Sequence, residues 1–253
     1  MTINKNISLI VNTVTKNKDV WPMFFGQLEK HLPKDIFNEK HIFVNHCDES
    51  FPDDYKVSYF ESDKMYREQF VSCINSVSDQ YCVYISEDYI LYNDMRADLV
   101  EKFVDVLNNN EELSFVRFMR GGVVDLLHQY DSYQNLYKLY NYMPYFYTNQ
   151  AALWRTKDLY KIHDCGPNLH IANKDAENSF EFQASKTCEK LGMNGVFYYN
   201  GEPKRGMYHY DSEIFPHVST ALVKGKWNMS EYESELGLLM SKYKVDLSIR
   251  GAV

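Results

Sequence analysis

The stretch "YCVYISEDYILYND", residues 81–94, decides how this sequence is read. Its first six residues form a short apolar run of the length of a buried strand. The run stops at two adjacent acids, Glu87 and Asp88, and resumes in aromatics. Ligands of open α/β sheets sit beyond the carboxyl ends of the strands, so paired carboxylates at such an end are a candidate ion site. Hard divalent cations, Mg²⁺ or Mn²⁺, suit it, because they are held by one or two carboxylates plus substrate phosphates. The same pair also fits a plain loop start, where Asp is common.

Working outward, "ISLIVNT" (7–13) and "HIFVN" (41–45) are further short apolar runs that read as buried strands. Between them "DVWPMFFGQLEKHLP" (19–33) predicts a helix, with Asp19 as its cap, Pro22 in the first turn, and Phe24, Phe25 and Leu28 at helical spacing. The unit repeats. Tyr66–Val77 places Phe70, Cys73, Ile74 and Val77 on one helical face ahead of the 81–86 strand, and Met95–Leu107 does the same with Leu99, Phe103, Val106 and Leu107 ahead of "LSFVRFM" (113–119). Such alternation predicts an α/β fold, a mostly parallel central sheet flanked by helices.

Beyond residue 120 the order loosens into a Tyr-rich stretch ending "YNYMPYFYTNQAALW" (140–154) and a loop around "DCGPNLHIANKDAENS" (164–179). Helices are expected again at 179–191 and 230–243. No Pro/Gly/Ser linker and no internal repeat divides the chain, so it reads as a single domain, 1–253, with an elaborated C-terminal half.

Composition narrows the function. A net charge of −8 over 253 residues argues against a nucleic-acid partner, which would require clustered Lys and Arg. No apolar stretch reaches the roughly 18 residues of a transmembrane segment, and the polar start "MTINKNISLI" has no signal-peptide pattern, which points to a cytoplasmic protein. Cys47, Cys73, Cys82, Cys165 and Cys188 form no CxxC pair and read as reduced thiols. P-loop and GxSxG motifs are absent.

Taken in order, "KDVWPMFFGQLEKHLP", "YCVYISEDYIL", "PYFYTNQAALWRTKDL", "SFEFQASK" and "GKWNMSEYESELGLLMSKYKVDLSIRG" resemble a group of small bacterial and phage glycosyltransferases with the GT-A fold, a Rossmann-like layout. The resemblance implies a nucleotide-sugar-binding half, 1–120, and an acceptor-binding half, 121–253. It further implies transfer of a sugar from a nucleotide-activated donor to a glycan or lipid-linked sugar acceptor, assisted by Mn²⁺ or Mg²⁺. Glu87 and Asp88 stand where the family has its Asp-x-Asp motif, which they do not strictly match. By the same resemblance His209 completes the metal shell, and Glu181 in "SFEFQ" is the general base, with Asp175 and Glu177 next in line. Thr13 and Thr15 would meet the base and ribose, Tyr66 would stack on the base, and Arg67 would reach a phosphate. Gln150 and Trp154 would face the sugar, and Lys204 and Arg205 would clamp the diphosphate. Two other readings share these residues: a catalytically inactive carbohydrate-binding protein on the same scaffold, and a nucleotidyltransferase, against which the glycine-free "VNTVTKNKD" (11–19) speaks.

Overall fold

The computed structural model describes residues 6–169 and 179–253. Along the chain run β1 (Ile7–Asn12), α1 (Trp21–His31), β2 (Glu39–Asn45), β3 (Lys56–Phe60), α2 (Tyr66–Ile74), β4 (Tyr81–Ser86), β5 (Ile90–Leu91), α3 (Ala97–Asn109) and β6 (Leu113–Arg117). Then follow β7 (Leu136–Leu139), β8 (Ala152–Arg155), α4 (Thr156–Cys165), α5 (Phe180–Lys190) and β9 (Asn194–Tyr198). Five two-residue strands, β10 (Lys204–Arg205), β11 (His209–Tyr210), β12 (His217–Val218), β13 (Leu222–Val223) and β14 (Lys226–Trp227), lead into α6 (Met229–Tyr243).

Eight strands form one sheet in the order β3-β2-β1-β4-β8-β6-β9-β7. The pairs β2–β3, β1–β2, β1–β4 and β6–β9 are parallel; β8 is antiparallel to both β4 and β6, and β7 is antiparallel to β9. Six strands therefore point one way, and the mostly parallel α/β architecture expected from the alternating pattern is what the chain adopts.

Strand periodicity divides the core into two layers. Tyr81, Val83 and Ile85 of β4 join a cluster with Phe24 of α1, Phe103 of α3 and Leu236 of α6. Cys82 and Tyr84 face the other way, into a cluster with Phe70 of α2, Ile162 of α4 and Phe180 of α5. A strand buried on both faces in this manner reads as a continuous apolar run, which is why "YCVYIS" is recognisable.

The structure corrects several sequence expectations. Asp19 does not cap α1, whose N-cap is Val20 with no side-chain bond; Asp19 instead pairs with Arg250, Nε to Oδ2 at 2.6 Å. The segment before α4 is strand β8, which with β3, β7 and β9 is among the strands the periodicity did not announce. Trp154 is 1% exposed, and its ring stacks on Phe115 at 4.2 Å. It is a core residue and offers no face to a sugar.

Trp154→Ala is therefore expected to lower stability by about 3–5 kcal/mol through the cavity it leaves, measured by denaturant unfolding. A variant of unchanged stability would contradict this placement.

Candidate active site

Because β8 runs against its neighbours, its amino end lies at the same sheet edge as the carboxyl ends of β4 and β6. At that edge is a cavity of about 500 Å³. Ser86 and Asp88 line it from the end of β4, Arg117 from the end of β6 and Met119 from just beyond it, and Thr148, Asn149 and Gln150 from the approach to β8. Glu181, His209 and Thr220 close it from α5, β11 and the loop after β12.

The two acids that opened the sequence part company here. Asp88 faces the cavity, where burial and the Glu87 charge push its carboxyl up to about 8. Glu87 is 6% exposed and does not line the cavity; its Oε1 accepts from Asn17 Nδ2. Burial raises the Glu87 carboxyl, partly offset by that bond and by the Arg250 charge. Arg250 in turn donates to Asn17 Oδ1 at 3.0 Å, which holds Asn17 in place.

His209 does reach the cavity, but its Nε2 lies 3.1 Å from the Thr220 hydroxyl, and burial followed by the Arg117 charge pushes it down to about 4, so it is neutral at pH 7. The expected metal shell of Glu87, Asp88 and His209 is not assembled: among the described residues no three His, Cys, Asp or Glu side chains are grouped to hold one ion. Of the expected shell, Asp88 is the carboxylate that lines the cavity, and such a site fits Mn²⁺ or Mg²⁺ only when substrate phosphates supply further oxygens.

Glu181 is placed by its own helix start. Ser179 caps α5, its hydroxyl accepting from the Phe182 amide at 3.3 Å, and this sets Glu181 in the first turn. Its Oε1 accepts from the Asn149 amide at 2.7 Å. Burial raises the Glu181 carboxyl above its ordinary value, against the lowering effects of that amide and of Arg117. Oε2 has no hydrogen-bond partner among the described residues. Thr148 Oγ1 and Gln150 Oε1 are buried without partners among the described residues. Buried polar atoms are normally satisfied, so these two oxygens, with the open Oε2 of Glu181, mark the cavity as built for a polar ligand.

The remaining predicted residues lie elsewhere. Thr13 is 1% exposed and accepts from Trp21 Nε1 at 2.8 Å, while Thr15 Oγ1 accepts from Asn45 Nδ2 at 2.7 Å; neither lines the cavity. Tyr66 cannot stack on a base: it is 4% exposed, its hydroxyl 2.7 Å from that of Tyr84 and its ring against Phe180. Arg67 turns to α4, 3.4 Å from the Gly166 carbonyl and 3.9 Å from Asp164. Arg205 is engaged by Asp211 at 3.1 Å and by Glu235, and Lys204 is exposed outside the cavity. Asp175 and Glu177 lie outside the described residues. Of the predicted set, Asp88, Gln150, Glu181 and His209 come together. Sequence reasoning missed Arg117, Thr148 and Asn149; a lone arginine inside the apolar "LSFVRFM" was the available signal.

No protein-family model matches this chain, and no curated protein matches its sequence. Among solved structures it is similar in layout to S. aureus TarS 1–349, with 13% identity over 98% of this chain and 66% of that one, TM-score 0.49. A UDP-glucose pyrophosphorylase complexed with UDP-glucose matches 76% of this chain and 89% of its own at 7% identity, TM-score 0.45. CMP:2-keto-3-deoxy-manno-octonic acid synthetase complexed with CTP matches 76% and 88% at 8% identity, TM-score 0.46. At such identities the likeness concerns fold alone.

A carboxyl raised by burial favours folding below its unfolded pKa and loses that advantage as pH rises toward its folded value. Asp88→Asn is thus expected to melt higher than the wild type at pH 8, by about 2–4 °C for each ~1 kcal/mol relieved, with the difference vanishing near pH 4. Melting curves across that range check it; a gap that does not depend on pH would refute the burial of Asp88.

Proposed function

We propose that this chain transfers a sugar from a nucleotide-activated donor to a hydroxyl of a glycan or lipid-linked acceptor. The observation that carries this reading is Glu181: a carboxylate in the main cavity with one oxygen fixed by the Asn149 amide and the other free for a ligand.

A base that removes a proton from an attacking hydroxyl must be fixed in direction and less acidic than a solvated carboxylate, and Glu181 meets both requirements. In this proposal Oε2 accepts the proton of the acceptor hydroxyl as that oxygen attacks the anomeric carbon on the face opposite the nucleotide, which departs with the bonding pair. Gln150 and Thr148 offer hydrogen bonds to sugar hydroxyls, and Asp88 faces the donor's ribose or phosphates. Mn²⁺ or Mg²⁺ shared by Asp88 and the diphosphate would supply Lewis-acid stabilisation of the leaving group when bound; the residue roles above do not depend on it.

The second reading, a carbohydrate-binding protein without turnover, is favoured by one observation: among the described residues no three ligating side chains are grouped to hold an ion, with Glu87 turned to Asn17 and out of the cavity. Slow hydrolysis of a nucleotide-sugar donor separates the two. Screening UDP-, GDP-, CMP- and dTDP-sugars for hydrolysis should identify one that the protein consumes, and Glu181→Gln should lower transfer to an acceptor by about 10²–10⁴-fold. The nucleotide released by that donor, at about 100 times its Kd, should still stabilise the variant by about 2.7 kcal/mol. Absence of any nucleotide-dependent stabilisation in the wild type would overturn the transferase reading.

A further inference from the structure

Two arginines on adjacent strands, both nearly buried, are treated very differently. Arg155 on β8 is 6% exposed, and all three of its nitrogens meet oxygen: Nε gives a bond to the Leu113 carbonyl at 2.7 Å, Nη2 to those of Leu107 and Asn110, and Nη1 to the Tyr81 hydroxyl at 3.4 Å. That side chain is complete within the fold.

Arg117 on β6 is 3% exposed, and only Nη2 is used, donating to the Tyr145 carbonyl at 3.1 Å and to that of Phe146. Among the described residues Nε and Nη1 have no oxygen partner, and no carboxylate comes within ion-pairing distance of the guanidinium. Yet Arg117 lines the main cavity. Gly121 locates its free end, because a Cβ there would lie 3.3 Å from Nη1, and Gly121 lines the same cavity. Glu181 acts on this guanidinium only through space, and a buried guanidinium with no anion in contact is costly to desolvate, so the cavity is where its missing acceptor can arrive.

We infer that Arg117 is an anion-binding residue of this cavity, and that the ligand brings an oxyanion, a carboxylate or a phosphoryl group, to Nη1 on the Gly121 side. Guanidinium is the side chain best matched to such groups, through charge-assisted hydrogen bonds. The inference rests on reading the cavity as a sugar site and narrows it: the sugar that enters is acidic or phosphorylated, or the anion is the donor's own diphosphate. Glycine at 121 keeps the approach to Nη1 open.

The test is calorimetric binding to the intact chain of glucuronate, glucose 1-phosphate, UDP and, as the uncharged control, methyl glucoside. At least one anion should bind about tenfold or more tightly than methyl glucoside, the range of a charge-assisted hydrogen bond. That preference should disappear in Arg117→Gln. Since Arg117→Gln also loses the bonds to the Tyr145 and Phe146 carbonyls, Gly121→Ala serves as the second variant; it leaves those bonds and crowds Nη1, and should weaken the anion by a larger factor than methyl glucoside. Preference for glucuronate assigns a carboxylate, for glucose 1-phosphate a sugar phosphate, and for UDP the donor diphosphate. Equal affinity for anions and methyl glucoside, anion binding unchanged in both variants, or no binding of any anion overturns the inference. Donor hydrolysis is scored separately, so a transferase without anion preference and an anion binder without hydrolysis give different results.

Discussion

The structure depends on the insertion of β8, antiparallel, between β4 and β6, which both run the other way. This pairing places the start of β8 beside the ends of its two neighbours. Three sequence segments far apart in the chain then meet at one edge: the acidic turn after Ser86, the arginine that closes β6, and the Thr148–Gln150 approach. A purely parallel crossover would have put the beginning of β8 at the opposite edge, and Gln150 far from Asp88. The buried cores on both sheet faces hold this alignment, since a one-residue slip of β4 would exchange Val83 and Ile85 with Cys82 and Tyr84 between layers.

Given that edge, local backbone arrangements shape the wall. Tyr145 has φ of 60°, a conformation that side chains rarely adopt, and its carbonyl is held by Arg117. Four residues on, the Asn149 amide reaches Glu181. Tyr147 supports the same segment from the other side, its amide donating to Ser185 Oγ at 3.0 Å, while Ser185 Oγ donates to the Glu181 carbonyl at 2.7 Å. The direction of the Glu181 carboxylate is thus set by a segment anchored on both a strand and the helix that carries Glu181 itself. Opposite, Gly122 lets two loops touch: its amide donates to the Tyr208 carbonyl at 2.6 Å, and a Cβ would stand 2.3 Å from the Met207 carbonyl.

The first half of this fold was legible because its elements are long and periodic, as with Phe70, Cys73 and Ile74 on α2. β8 was not, since the four residues Ala152–Arg155 lead directly into α4, and no turn residue separates strand from helix. Residue type alone misdirected the aromatic and basic assignments. Tyr66, Trp154 and Arg205 carry groups that suit a nucleotide sugar, but the packing of Tyr84, Phe115 and Asp211 against them uses those groups internally. Glu181 was reached through the family resemblance alone; local pattern offers only Ser179 as a helix start with an acid in the first turn, which any plain helix terminus also shows. The separation of Glu87 from Asp88 follows from Asn17 and Arg250, at sequence distances that no local pattern encodes.

The charges of the cavity are few and mutually dependent. His209 is neutral above about pH 4, so Asp88, Glu181 and Arg117 decide the net charge the ligand meets. Burial and the Glu87 charge raise the Asp88 carboxyl, so its ionised form is favoured by a positive ligand. A cation arriving at Asp88 promotes loss of its proton, whereas an anion arriving near Arg117 further disfavours ionisation of Asp88 and Glu181, which both oppose it. By linkage, each proton movement makes affinity depend on pH, in opposite senses for the two kinds of ligand. Selectivity for ligand charge in this cavity is thus set by buried carboxyls that take whichever form the ligand permits, with Arg117 as the fixed charge against which they adjust.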